Sequence, residues 1–254
     1  MRFVTIAIAM TMVVVWWIGH DAGPPAPLVF AASSLTDYLE DAAGRFRDHE
    51  GKAVRLHFGS SAILKRQIEA GAGADLFVSA SPVEIDALEK AGRVVRRADL
   101  LRNRLVLVEK DSRPGWQERW EAGAKAVLRP EIERVAIGDP DASPVGRYAR
   151  QALTGMGLWE GLQGRLLQGV HARQALQYAR SGEADLAIVY QTDARGVEGL
   201  RTIYTFPSEA HSPILYVGAV VQGGDQADIA GDFLDYLAHR VRHGMIHEHG
   251  FSYP

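Results

Sequence analysis

Serines recur where apolar runs end. Val29-Phe30-Ala31-Ala32 is followed by Ser33-Ser34, and Val54-Arg55-Leu56-His57-Phe58 by Gly59-Ser60-Ser61. Ser34 and Asp37 have the S-x-x-D spacing of a capping box, so the local reading of Ser34 is an N-cap for a helix starting at Leu35. Gly59 admits close approach to the backbone. Ser60 and Ser61 set hydroxyls at another helix start, where unpaired amides and the helix dipole attract anions. Ile137-Gly138-Asp139-Pro140 closes a third run, and Ser143-Pro144-Val145-Gly146 opens a helix with proline where a first turn accepts it. Gly169-Val170 leads into His171-Ala172-Arg173, and Leu186-Ala187-Ile188-Val189 ends in Tyr190, a phenolic donor.

These junctions hold hydroxyls and amides but few cations: beside Ser33, Ser34, Gly59, Ser60 and Ser61 the nearest are Lys65 and Arg66, a turn along. Neutral donors without a counter-ion suit a small, fully deprotonated oxyanion that only accepts hydrogen bonds. An anion that still carries a proton needs an acceptor as well, so such a site discriminates by protonation state. The enzyme alternative is a serine hydrolase using Ser34 or Ser61 with His57 and an aspartate. The G-x-S-x-G elbow is absent, because Gly59-Ser60-Ser61-Ala62 has the wrong spacing. Near the end, His239, His243 and His247 recur every four residues beside Glu248 and His249. One unbroken helix would align them for a transition metal, but Gly244 weakens it, and surface histidines with no separate metal-ion site are the reading adopted.

The elements that must position these residues alternate. Apolar β-type runs cover Leu28–Ala32, Val54–Phe58, Asp75–Ser79, Arg104–Val108, Arg134–Ile137, Leu186–Tyr190 and Leu215–Val221. Helical patterns cover Leu35–Asp48, Ala62–Ala70, Pro82–Ala91, Gly146–Thr154, Arg173–Ser181 and Asp225–Val241. Alternation of this kind predicts an α/β fold of mostly parallel sheets flanked by helices. A fresh strand series after residue 104 predicts two lobes meeting in a cleft, with ligand beyond the carboxyl ends of the strands. The 254 residues, 47% apolar and 23% charged, suit two lobes and exclude a disordered chain. A net charge of −3 gives no basic field for nucleic acid, and zero Cys excludes disulfides, thiolate metal sites and cysteine nucleophiles.

Residues 3–18 carry no charge and follow Arg2, the pattern of a secretory signal. The run is shorter than the roughly 20 residues that span a bilayer comfortably. Read without cleavage, it is a membrane anchor. The expected division is 1–27 as signal peptide and spacer, 28–103 plus 218–254 as lobe I, and 104–217 as lobe II.

Taken together, Val29-Phe30-Ala31-Ala32-Ser33-Ser34-Leu35-Thr36, Phe58-Gly59-Ser60-Ser61, Ala74-Asp75-Leu76-Phe77-Val78-Ser79-Ala80, Asn103-Arg104-Leu105-Val106-Leu107-Val108, Gly146-Arg147-Tyr148-Ala149 and Ile188-Val189-Tyr190 with Thr192-Asp193-Ala194 closely resemble the periplasmic molybdate-binding proteins of ABC transporters. The likeness runs in order from residue 28 to 251. It implies a two-lobed type II periplasmic binding protein that captures molybdate, and tungstate with it, for a membrane permease. It implies no catalysis, no cofactor beyond that ligand, no nucleic-acid partner and a monomer in the periplasm. Carried over by position, the ligand contacts are the hydroxyls and amides of Ser34 and Ser61, the amides of Val145 and Ala172, and the phenol of Tyr190. The chain departs from the pattern with Val145 for Ala, His171-Ala172 for an acidic-aliphatic pair, and Tyr216-Val217 for Tyr-Pro. None of these removes a donor. A sensor domain holding the same oxyanion is the remaining alternative.

Overall fold

β1 (Leu28–Ala32) is apolar along its whole length because neighbours cover both of its faces. Alternate side chains point opposite ways: Val29 and Ala31 enter the large core cluster, whereas Phe30 enters a second one with Leu64, Ile68, Phe77 and Ile85. In the computed structural model, which describes residues 25–240 and 244–254, β1 is the parallel partner of both β2 (Arg55–Gly59) and β3 (Leu76–Ser79). β4 (Val94–Arg102) forms the far edge, and the strand between β3 and β4 returns from late in the chain. The second sheet contains β5 (Leu105–Lys110), β6 (Val135–Gly138), β7 (Leu166–Gly169), β8 (Leu186–Tyr190) and β9 (Leu200–Thr205), in the order β7-β6-β8-β5-β9. The returning strand is β10 (Leu215–Val221), so the first sheet is ordered β2-β1-β3-β10-β4.

In each sheet one strand runs against the others: β10 is antiparallel to β3 and β4, and β5 is antiparallel to β8 and β9. The fold is therefore a two-lobed α/β structure built on two mixed sheets, with most strands running one way. α1 (Thr36–Glu50), α2 (Ser61–Glu69) and α3 (Pro82–Lys90) follow β1, β2 and β3. α4 (Trp116–Ala122) follows β5, and α5 (Pro144–Gly155), α6 (Ala172–Ser181) and α7 (Gln191–Ala194) follow β6, β7 and β8. After β10 come α8 (Ala227–Asp235), a π-turn over Tyr236–Arg240, and α9 (Met245–Glu248).

Several boundaries differ from those read in the sequence. β10 lies entirely in the first sheet, so the return to lobe I precedes Leu215 and does not fall between 217 and 218. β4, β7 and β9 carry no clear apolar run, and each is an edge strand, with β4 bridged on its outer side, among the described residues, only by Ser252 at Arg102; β2, the remaining edge, is the one read from the sequence. Ser34 does not cap α1. It sits in a 3-10 turn (Ser33–Leu35), α1 begins at Thr36 with no side-chain cap, and the Ser34 hydroxyl is engaged elsewhere. The last long helix begins at Ala227 and continues past Asp235 as the π-turn through Arg240, and Gly244, at φ 104°, separates His239 from α9 and His247. The residues 3–18 and His243 lie outside the described residues.

Candidate functional site

Six strand ends meet at one small cavity. It is lined by Ala32, Ser33 and Ser34 after β1, Gly59, Ser60 and Ser61 after β2, and Ala80 after β3. From the other lobe come Ser143, Pro144 and Val145 after β6, His171 and Ala172 after β7, and Tyr190 at the end of β8. All five residues singled out by sequence, Ser34, Ser61, Val145, Ala172 and Tyr190, are buried and line this one space. Its atom-free volume is about 210 Å³, including the mouth. No Lys or Arg is among its lining residues.

The local folding of each wall follows from its sequence. Ser143 caps α5, its hydroxyl accepting the Gly146 N–H at 3.2 Å, and Pro144 takes the first turn. Gly146 and Gly138 have no side chain because the backbones touch: a Cβ on Gly146 would run into the Gly138 carbonyl and come within 2.5 Å of the Asp139 carbonyl. That contact presses the start of α5 onto the end of β6. Gly59 instead makes room for Leu64, whose side chain would lie 3.2 Å from an added Cβ. At α6 the cap is an imidazole, His171 Nδ1 accepting the Gln174 N–H at 3.2 Å. Burial, with Arg173 second, lowers the His171 pKa and favours the neutral ring that this cap needs.

The candidate donors are left with protons to give. The amides of Ser61, Val145 and Ala172 fall in the first turns of α2, α5 and α6, where no earlier turn supplies a carbonyl. Ser61 Oγ accepts the Ala80 N–H at 3.0 Å, which uses a lone pair and leaves the hydroxyl hydrogen free. Ser34 Oγ and the Tyr216 phenol are 2.9 Å apart. The Tyr190 phenol is buried with no hydrogen-bond partner among the described residues, and burial raises its pKa well above 10, so it remains a proton donor. Because Tyr190 lines the cavity, that hydroxyl is available to an acceptor placed there.

Bonds between the lobes frame the cavity. Ser60 Oγ donates to the Ala142 carbonyl at 2.5 Å, so it bridges the cleft where sequence gave it no contact. Arg147 of α5 pairs with Glu84 of α3 at 2.6 Å, and Arg173 of α6 with Asp37 of α1 at 2.6 Å. Both guanidiniums thus follow closely on proposed amide donors while being neutralised by lobe I carboxylates. The hydrolase arrangement is not assembled. His57 packs on Phe30, ring centroids 5.0 Å apart, and the described bonds of Ser34 and Ser61 go to Tyr216 and the Ala80 amide. Sequence reasoning missed the structural parts of Ala80, Asn103 and Tyr216. Ala80 was signalled by the small Ser79-Ala80-Ser81 step at a strand end, the same pattern as the other junctions.

The family profile described as bacterial extracellular solute-binding protein matches residues 27–252. The chain belongs to that family. Members of this solute-binding family are transport components and not enzymes. Among the relatives, the molybdate-binding protein ModA of Escherichia coli (strain K12) is 36% identical over 236 residues, covering 88% of each chain. The molybdate-binding protein ModA of Haemophilus influenzae is 35% identical over 227 residues, covering 88% of this chain and 89% of its own. The solved periplasmic molybdate-binding protein of Azotobacter vinelandii shares the fold with a TM-score of 0.79 at 24% identity, over 90% of this chain and 99% of that one. In this solute-binding chain, no helix among the described residues is long and apolar enough to cross a membrane.

Behind the cleft of this family member lies a carboxylate in an unusual state. Asp193 of α7 is fully buried, and its oxygens have no hydrogen-bond partner among the described residues. Arg173 Nε stands 3.6 Å away. Burial pushes the Asp193 pKa up to about 7, against the pull of Arg173 and with a further push from Asp37. The folded protein therefore holds a proton that an unfolded aspartate, with its pKa near 3.9, releases. The stability tied to this proton is complete below about pH 4 and is lost as pH rises through about 7. Asp193→Asn is expected to be more stable than wild type at pH 8, by on the order of several kcal/mol, with the gap narrowing towards pH 5. Paired thermal melts across that range check it, and a gap that does not change with pH contradicts it.

Proposed function

We propose that this chain captures molybdate, and its near-isostere tungstate, between its lobes and delivers it to the membrane permease of an ABC transporter. The observation that carries this reading is the donor set. Hydroxyls, first-turn amides and an unpartnered phenol from both lobes line one cavity that no lysine or arginine enters. Such a set binds an anion that accepts from every side. It balances the charge with helix dipoles and oriented N–H groups in place of a counter-ion. Both ModA relatives are named for the same anion. The bound oxyanion is the cargo, no cofactor is required, and the protein acts as an exported monomer after its N-terminal segment has directed it to the periplasm.

Calorimetric titration of the mature protein with molybdate, tungstate, sulfate and phosphate tests the proposal. Molybdate and tungstate should bind one per chain, with sulfate weaker and phosphate weakest. Binding of phosphate alone would overturn it.

A further inference from the structure

We infer that Asn103 is a positioning residue that sets the direction of a hydrogen-bond relay through Tyr216 to Ser34, so that Ser34 offers its proton to the cleft. The inference rests on the oxyanion reading above and names what in this site selects the protonation state of the cargo.

Four segments distant in sequence form the relay, the last being Ser34 after β1. Asn103 lies on the first crossing between the sheets, Tyr216 on the returning strand β10, and Thr192 at the start of α7. Asn103 Oδ1 accepts the Arg104 N–H at 2.8 Å. An amide has one oxygen and one NH2 group, so this bond fixes which end faces which way. The NH2 group then donates to Thr192 Oγ1 at 2.8 Å and to the Tyr216 oxygen at 3.0 Å. Turning the amide over would set NH2 against the Arg104 N–H, donor against donor. The Tyr216 phenol has a single proton, and burial raises its pKa so that it keeps that proton. With an N–H already arriving at its oxygen, the phenol directs its own hydrogen to Ser34 Oγ, 2.9 Å away. Ser34 accepts, and its hydrogen is left for the cavity.

Ser61 reaches the same state by a shorter route, since its oxygen accepts the Ala80 N–H. Both serines thereby have one lone pair occupied and their hydrogen turned away from that partner, which favours donation to the cleft. A free hydroxyl can rotate to donate or accept and would tolerate a protonated anion such as hydrogen phosphate. A hydroxyl held as a donor favours an anion with no proton to give.

The experiment measures affinity for sodium molybdate and for inorganic phosphate at neutral pH in wild type and three variants. Asn103→Asp keeps the shape but can only accept, so the Tyr216 proton turns towards it and Ser34 must donate to Tyr216. Molybdate affinity is expected to fall about 10- to 150-fold. The new carboxylate also repels the anion through space, and the double variant Asn103→Asp/Tyr216→Phe separates the two effects. Without the phenol no reversal reaches Ser34, so the double variant should bind molybdate better than Asn103→Asp alone. Tyr216→Phe alone leaves the Ser34 hydroxyl free to rotate, so its preference for molybdate over phosphate should drop. Unchanged affinity in Asn103→Asp, a double variant no better than that single one, or a wild-type preference in Tyr216→Phe would each overturn the relay. The last readout does not require Asn103→Asp to fold. Wild type that binds no oxyanion removes the underlying reading; wild type that binds while the variants show no difference removes the relay alone.

Discussion

Ser61→Asp is expected to abolish molybdate capture while leaving the chain folded. Ser61 is 1% exposed, opens α2, and takes the Ala80 N–H on its hydroxyl. A carboxylate there would take the same amide and the first-turn amides of α2, behaving as a tethered competitor for the site's donors. It would also face a dianion across a few ångströms with no lysine or arginine lining the space. Even at an effective dielectric near 20, two unit charges 4 Å apart interact by about 4 kcal/mol, and here one partner carries two. A loss of at least about a thousandfold follows. Ser61→Ala removes one hydroxyl and keeps the backbone amide, so a fall of about 10- to 150-fold is expected. An acidic residue in the first turn of a helix favours the helix dipole, so folding should survive. Titration decides: near wild-type affinity in Ser61→Asp would mean that Ser61 does not line the anion site.

The second large effect is structural, and it reaches the site through the backbone. Gly146→Ala adds a single methyl group, but that methyl meets the Gly138 and Asp139 backbone, including the Asp139 carbonyl carbon and oxygen at 2.5 Å. No side chain can swing aside to admit it. The start of α5 must lift from the end of β6, and it carries the Val145 amide and the Ser143 cap with it. Overpacking of this kind costs about 1–3 kcal/mol, and more where main chain is the obstacle. Gly146→Ala should lower stability by at least that amount and weaken molybdate binding together with it. Gly44→Ala is the opposite case: nothing lies within 4 Å of its Cβ, and it sits inside α1, so the change should stabilise by roughly 0.5–1 kcal/mol. Denaturant unfolding of both variants makes the comparison, and equal stability for the two would show that the α5–β6 junction yields.

Much of this architecture was legible because interior strands of α/β sheets are apolar on both faces. β1, β3, β5, β6, β8 and β10 each announce themselves as short apolar runs. β4, β7 and β9 do not, since an edge strand needs burial on fewer sides; β4 carries Arg96 and Arg97, whose guanidiniums reach Asp235, Asp86 and Glu89. At the site, small residues at strand ends and likeness to molybdate-binding proteins pointed to residues that the fold brings together around one cavity. The chemistry of Ser34 was not legible. Its spacing to Asp37 reads as a cap, while its actual partner, Tyr216, lies 182 residues away. Asp37, freed from capping, meets Arg173 across the cleft. Contacts between distant segments leave no periodic trace, and so the relay and the state of Asp193 emerge only with the fold.

The bonds from Ser60 to Ala142, Arg147 to Glu84 and Arg173 to Asp37 join the lobes without passing through the cargo. Part of the grip on the anion therefore belongs to the receptor itself. An escaping ion has to wait until these protein–protein bonds part, which lengthens its residence without adding any contact to it. The same bonds oppose unloading at the membrane. A permease that holds the two lobes apart would have to break them one after another, so its attachment to both lobes must be strong enough to compete with the receptor's hold on itself.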